Sequence, residues 1–220
     1  MILVHHLNQS RSQRVLWLLE ELEQPYEIVH HQRDPKTLLA PPELQRVHPL
    51  GKSPVVVDGD LVLAESGAIL ETLVERHGPH LRPAAGTPEA LRYRYFLHYA
   101  EGSLMPPLLL KLVFDQVEKA PLIVRPVAKA ISATVKARFI TPNLQRHLDF
   151  LEAELRDRDW FAGDTFSAAD VQMSFPLEAA AARAGLDARR PRLTDWLRRI
   201  HARPAYRRAI ERGGPYSMVD

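Results

Sequence analysis

The chain has 220 residues, 45% hydrophobic and 25% charged, which fits a folded protein of one large or two small domains and excludes disorder. No run approaches the roughly 18 apolar residues of a membrane-spanning helix, and M-I-L-V-H-H-L-N lacks the basic and apolar parts of an export signal, so the expected compartment is cytoplasmic. Cysteine is absent, excluding disulfides, an enzyme thiolate and cysteine-based zinc sites, and the net charge of +2 divides into 7 basic against 11 acidic residues up to His80 and 22 against 16 beyond it.

Ile2 to His6 is short and aliphatic and reads as a strand, in which His5 and His6 point to opposite faces and cannot chelate together. The ten histidines show no H-E-x-x-H or other metal spacing, so no metal is expected. Val15 to Leu22 has helical spacing, Tyr26 to His30 is a second strand, and Pro41 to Val47 is a helical turn or short helix. Val55 to Val57 and Leu61 to Leu63 flank Asp58-Gly59-Asp60, a turn signal that makes them a β-hairpin. Glu65-Ser66-Gly67 then opens a helix with Ala68, Ile69, Leu70, Leu73 and Val74 on it. The order β-α-β-α-β-β-α begins with a parallel βαβ unit.

His77 to Pro88 is rich in Pro and Gly and reads as a linker, placing the domains at residues 1–78 and 88–220 with 79–87 between them. Everything beyond is helical. Thr87-Pro88-Glu89 supplies an N-cap, a first-turn proline and a first-turn acid for a helix carrying Leu91, Tyr95, Phe96 and Tyr99. Gly102-Ser103 and Pro106-Pro107 should bend or break that helix. Further helices are expected from about Val124 to Arg156, from Ser167 to Ala184 and from Pro191 to His201. In Phe166-Ser167-Ala168-Ala169-Asp170-Val171, Ser167 caps a helix, Asp170 returns the bond, and Phe166 and Val171 can close as a staple. The arginines between Arg183 and Arg212 fall among the apolar positions Leu193, Trp196, Leu197 and Ile200, the pattern of a solvated helix face and not of a nucleic-acid patch.

Chemistry concentrates between Gly51 and Leu70. Pro54 removes a backbone donor from the Ser53-Pro54 segment, leaving room for pairing with an extended ligand, and the helix start at Glu65-Ser66 can hold an anion. A small charged peptide fits such a site. The plain structural alternatives are a helix cap at Glu65-Ser66 and a solvent-facing charge at Lys52.

In order and spacing, Ser10 at the first helix start, H-P-L-G-K-S-P (His48 to Pro54), Glu65-Ser66 and F-S-A-A-D (Phe166 to Asp170) resemble the cytosolic glutathione S-transferases over the whole chain. The run N-Q-S-R-S-Q-R-V-L-W-L-L-E-E-L is most similar to bacterial and fungal members related to a yeast microsome-associated transferase. The resemblance implies a thioredoxin-like β-α-β-α-β-β-α domain followed by an all-α helical domain. It implies glutathione as co-substrate with no tightly bound cofactor, a hydrophobic electrophile, a detoxification role and a homodimer. Ser10 matches the serine that donates to the glutathione thiolate in theta-like and delta-like members. Asn8 and Ser12 are the other candidates, and Ser10 with Gln13 also fits a plain capping box. The resemblance further implies a cis Ser53-Pro54 bond with the Ser53 backbone pairing to the peptide. Glu65 would meet its ammonium, Ser66 its α-carboxylate and Lys52 its glycyl carboxylate. The bent helix with Tyr99, Ser103, Met105 and Pro106 is the place for the electrophile, core packing being the alternative for its aromatics, and Glu101 is expected to reach a neighbouring subunit's ligand. Conjugation, glutathione-dependent peroxidase or isomerase activity, and non-catalytic ligand binding all fit this site.

Overall fold

The computed structural model describes residues 1–37 and 39–218. Strand β1 (Ile2–Leu7), helix α1 (Ser12–Glu21), β2 (Tyr26–His31), α2 (Glu43–Val47), β3 (Val55–Asp58), β4 (Leu61–Ala64) and α3 (Ser66–His77) give the β-α-β-α-β-β-α order that the periodicity predicts. The sheet order is β2-β1-β3-β4, with β1 parallel to β2 and antiparallel to β3. Gly59 sits at φ 62° in the tight β3–β4 turn, a left-handed conformation that glycine adopts without a Cβ clash.

Helix α1 is buried along almost its whole length, because it lies between the sheet and the helical part of the chain. Trp17 shows this directly, with its ring against Phe166 at 5.6 Å and Tyr206 at 5.1 Å between centroids. Burying such a helix on all sides is what its run of Val15, Leu16, Leu18 and Leu19 requires.

The expected linker contains a 3-10 turn at Pro79–Leu81. Helix α4 (Pro88–Tyr99) starts as its sequence dictates, the Thr87 hydroxyl accepting from Ala90 N at 3.1 Å. The bend expected near Gly102 is a π turn over Ala100–Leu104, in which Met105 N bonds the Ala100 carbonyl. Helix α5 (Met105–Val117) follows at once, with Pro106 and Pro107 in its first turn, where a missing N–H costs little. The helix expected from Val124 to Arg156 is two, α6 (Arg125–Val135) and α7 (Thr141–Glu154), joined by a second π turn at Lys136–Ile140. Helices α8 (Ala168–Arg183), α9 (Pro191–Ala202) and α10 (Pro204–Gly213) complete the described fold. Helix α10 escapes a sequence reading because its arginines mask a narrow apolar stripe of Ala205, Tyr206 and Ala209, which packs on α1.

Asp170 does more than close a cap. Its Oδ2 accepts from Ser167 N at 3.0 Å and Ser167 Oγ at 3.2 Å, while Oδ1 accepts from Phe161 N at 3.0 Å and the Trp196 indole at 3.1 Å. One carboxyl thus ties the start of α8 to the preceding loop and to α9. Burial pushes it up to about 6 against the pull of these donors. Among the described residues no helix is long and apolar enough to cross a membrane.

Candidate functional site

The turn from β1 into α1 is held from several sides. Asn8 N bonds the His31 carbonyl at 3.1 Å, and Asn8 Oδ1 accepts from Arg33 N at 2.8 Å. Gln9 has φ 54°, uncommon for a residue with a side chain, and its amide anchors the end of the chain. Gln9 Nε2 donates to the Pro215 carbonyl at 3.0 Å, and Oε1 accepts from Ser217 N at 3.0 Å and Ser217 Oγ at 2.9 Å. Ser10 follows, 4% exposed, its Oγ 2.8 Å from Ser12 Oγ and accepting from Ser12 N at 3.2 Å. The capping box of Ser10 with Gln13 is not formed: Arg11 is the N-cap and makes no side-chain cap. The Ser10 hydroxyl is engaged with Ser12 instead. Ser12, fully enclosed, also lies 2.9 Å from His6 Nδ1 and 3.3 Å from the Leu7 carbonyl, and accepts from Leu7 N at 3.2 Å.

The hairpin entry comes against this turn. The Ser53-Pro54 bond is cis. Ser53 Oγ donates to the His5 carbonyl at 3.0 Å and accepts from Leu7 N at 3.3 Å, so Leu7 N is shared between Ser53 and Ser12. Pro54 is buried and Lys52 exposed. Glu65 is the N-cap of α3 at φ 67° and makes no side-chain cap, so the cap reading leaves its exposed carboxylate unused. A left-handed residue that carries a side chain stores strain, which is most often tolerated at functional sites.

Ser66 is buried and accepts from Arg14 Nη2 at 3.1 Å. The Arg14 side chain is fully buried, donates to the Gln172 carbonyl at 2.5 Å and pairs with Glu101. Arg11 Nε reaches the same carboxylate at 2.9 Å. Glu101, expected to reach a neighbouring subunit's ligand, is therefore engaged with two guanidiniums of its own chain. Burial pushes its carboxyl up, but Arg14 and Arg11 outweigh that and hold it below the usual range. Glu101 lies in the π turn over Ala100–Leu104.

Tyr99 and Glu101 are two residues apart, about 200° around a helix, and face different neighbours. The Tyr99 hydroxyl lies 2.5 Å from His147 Nδ1 and its ring packs on Tyr95 and Phe150. Tyr99 and Ser103 come together in a cavity of about 430 Å³ that also takes in Leu91, Tyr95 and His98. Met105 is buried in the core and Pro106 is exposed, and neither lines that cavity.

His6, Gln9 and Arg14 escape a reading of the sequence. Arg14 alone carried a signal, a cation directly before an apolar helical run. His6 is held down at about 4, mainly by burial and then by His30 and His31. Its depressed folded value contributes stability that is present above pH 6.5 and lost as pH falls through about 4, some 3 kcal/mol in all. Asp170 has the opposite sign: its raised value contributes stability present below pH 3.8 and lost as pH rises through about 6, also about 3 kcal/mol. The two offset each other between pH 4 and 6. Asp170→Asn, which removes one side of the balance, is expected to lose urea resistance as pH falls from 6.5 to 4 more steeply than wild type. Parallel pH profiles for the two proteins would refute this.

The glutathione S-transferase N-terminal domain model matches residues 1–75, and the glutathione S-transferase C-terminal domain model matches residues 129–199. Glutathione S-transferase 3 of Schizosaccharomyces pombe is 38% identical, over 96% of this chain and 88% of the relative. Glutathione S-transferase 1 of Saccharomyces cerevisiae is 32% identical, over 96% of this chain and 94% of the relative. A crystal structure of a glutathione S-transferase from Actinobacillus pleuropneumoniae superimposes with a TM-score of 0.84 at 34% identity, covering 100% of this chain and 96% of the other. With both family models spread over most of its length and two relatives above 30% identity aligned almost end to end, the chain belongs to the glutathione S-transferase family.

Proposed function

We propose that this protein is a glutathione transferase in which the Ser10 hydroxyl donates to the glutathione thiolate as it attacks a small hydrophobic electrophile. Glutathione is the co-substrate. The observation that carries the serine assignment is the contrast among the three candidates at the first turn. Ser12 is enclosed on every side and Asn8 Oδ1 is taken by Arg33 N, while Ser10 keeps some exposure at the outer end of the hydroxyl pair. A hydroxyl aimed at sulfur favours the ionised form, which is the nucleophile.

The rest of the tripeptide lies along the hairpin. The Ser53 backbone before cis Pro54 pairs with its cysteinyl unit, Lys52 meets the glycyl carboxylate, Glu65 the ammonium, and Ser66 at the start of α3 the α-carboxylate. Arg14 supports that last contact through Ser66 Oγ. Residues 1–78 form the glutathione-binding unit and 88–220 the unit that receives the electrophile, joined by 79–87. The protein works in the cytoplasm as a homodimer, for which the exposed Leu91 and Tyr95 of α4 and Leu61 and Val62 of β4 supply apolar surface.

Ser10→Ala is expected to lower kcat/KM for a generic aryl halide about 10- to 100-fold, the value of a hydrogen bond to a charged group, with glutathione KM nearly unchanged. Asn8→Ala keeps most of the activity. Unchanged turnover in Ser10→Ala, measured by steady-state kinetics, overturns the assignment.

A further inference from the structure

We propose that Gln9 is a positioning residue for the Ser10 hydroxyl: its side-chain amide, clamped by the backbone of Pro215 and Ser217, holds the left-handed turn on which that hydroxyl stands. The inference rests on the reading of Ser10 given above and goes beyond it to what fixes the hydroxyl in place.

Three successive residues of the turn have three different anchors. Asn8 is tied to the end of β2, its N bonding the His31 carbonyl at 3.1 Å, and Ser10 is engaged with Ser12 at 2.8 Å. Gln9 stands between them at φ 54°, where the Cβ of any residue other than glycine crowds the following carbonyl oxygen. The compensation comes from some 206 residues away. Gln9 Nε2 donates to the Pro215 carbonyl at 3.0 Å, and Oε1 accepts from Ser217 N at 3.0 Å and Ser217 Oγ at 2.9 Å. A carbonyl oxygen only accepts and a backbone N–H only donates, so the amide has one orientation, with nitrogen toward Pro215 and oxygen toward Ser217. It bridges the two peptide groups on either side of Tyr216, as a neighbouring strand would.

A clamp positions a residue only if it is itself fixed. Tyr216 is buried and its hydroxyl donates to Glu178 Oε2 at 2.8 Å, while the Tyr206 hydroxyl donates to Oε1 of the same buried carboxylate at 2.6 Å. Met218 is buried in the core. Gly214, at φ 85°, turns the chain out of α10 into this segment, its N bonding the Ile210 carbonyl at 2.9 Å. The Pro215–Ser217 backbone is therefore tied to α8 and α10, and the Ser10 turn is held between those helices and the sheet.

Release of the amide lets Gln9 leave its left-handed conformation. That torsion immediately precedes Ser10, so the Ser10 hydroxyl moves off the sulfur. The other contacts proposed for glutathione, at Lys52, Ser53, Glu65 and Ser66, belong to the hairpin and the start of α3 and do not pass through Gln9. Loss of the clamp therefore changes thiol acidity and turnover and spares glutathione affinity.

The test is the pKa of the bound glutathione thiol, read from thiolate ultraviolet absorbance of the complex, with kcat and KM for glutathione and an aryl halide alongside. Gln9→Ala removes the clamp and keeps a Cβ. It is expected to raise the thiol pKa by about 0.5 to 1 unit, the value of one weakened hydrogen bond, with glutathione KM nearly unchanged. Below that pKa, kcat/KM then falls about three- to tenfold. Gln9→Gly loses the same amide but adopts φ 54° without a clash, and is expected to recover most of the shift. Ser217→Pro deprives Oε1 of both its donors, so it should shift the thiol as Gln9→Ala does and add little in the Gln9→Ala background. An unchanged thiol pKa in Gln9→Ala overturns the proposal, whatever its melting temperature. So does a glycine variant as impaired as the alanine one, or additive effects of Gln9→Ala and Ser217→Pro, and the two Gln9 variants decide alone if Ser217→Pro does not fold. Ser10→Ala separates the two layers. If it leaves the thiol pKa unchanged, the Ser10 reading falls and this proposal with it. If it raises the pKa while Gln9→Ala does not, only the clamp is refuted.

Discussion

Replacing Arg14 with methionine is expected to cost about 3 kcal/mol of stability, which for a chain of this length is a fall in Tm of roughly 6–12 °C. The Arg14 side chain is wholly buried and joins four elements: its own helix α1, Glu101 in the π turn, Ser66 at the start of α3 and the Gln172 carbonyl in α8. Methionine fills much of the volume but takes the guanidinium away from Ser66 Oγ and the Gln172 carbonyl and leaves Glu101 with Arg11 alone. The loss is not larger because Glu101 keeps Arg11 and its side chain is about one-third exposed. Adding Glu101→Gln to Arg14→Met is expected to restore part of the loss, since the charge left behind is removed. The single variant should also raise KM for glutathione, as Ser66 loses the guanidinium that orients it. Differential scanning calorimetry of the single and double variants checks this, and a single variant melting within 2 °C of wild type would count against the account.

Asp170→Ala is expected to cost about 4 kcal/mol, a fall in Tm of roughly 8–16 °C. The carboxyl accepts four hydrogen bonds from three separate pieces of chain, and alanine strands two backbone N–H groups and an indole N–H in the interior. Ser167→Ala removes only the hydroxyl contact and should cost about 1 kcal/mol, the usual value of a lost cap. The difference between the two isolates what Asp170 does for Phe161 and Trp196. Equal losses in the two variants, from urea midpoints, would mean that those links stabilise nothing.

Local order was largely legible from sequence. The turn at Asp58-Gly59-Asp60, the Thr87-Pro88 helix start and the Ser167–Asp170 box each rest on contacts within a few residues, which is why the spacing of side chains reveals them. The π turns were not legible, since Gly102 and the prolines announce an irregularity without saying whether the helix breaks or absorbs a residue. Helix α10 was missed because its fate depends on α1, some 190 residues away, offering a face for its narrow apolar stripe.

The site divides the same way. Ser10, Ser53, Glu65 and Ser66 were named from their order along the chain, because each stands at the start or end of an element that the sequence itself marks. What surrounds them was decided only by folding. Arg14 reaches Ser66 and Glu101 across separations of 52 and 87 residues. The sequence alone determined the family, the order of elements through α3 and the candidate residues, because these follow from short-range patterns. Where Glu101 turns its charge was decided by tertiary structure, because burial and hydrogen-bond partners are set by atoms far away in the chain.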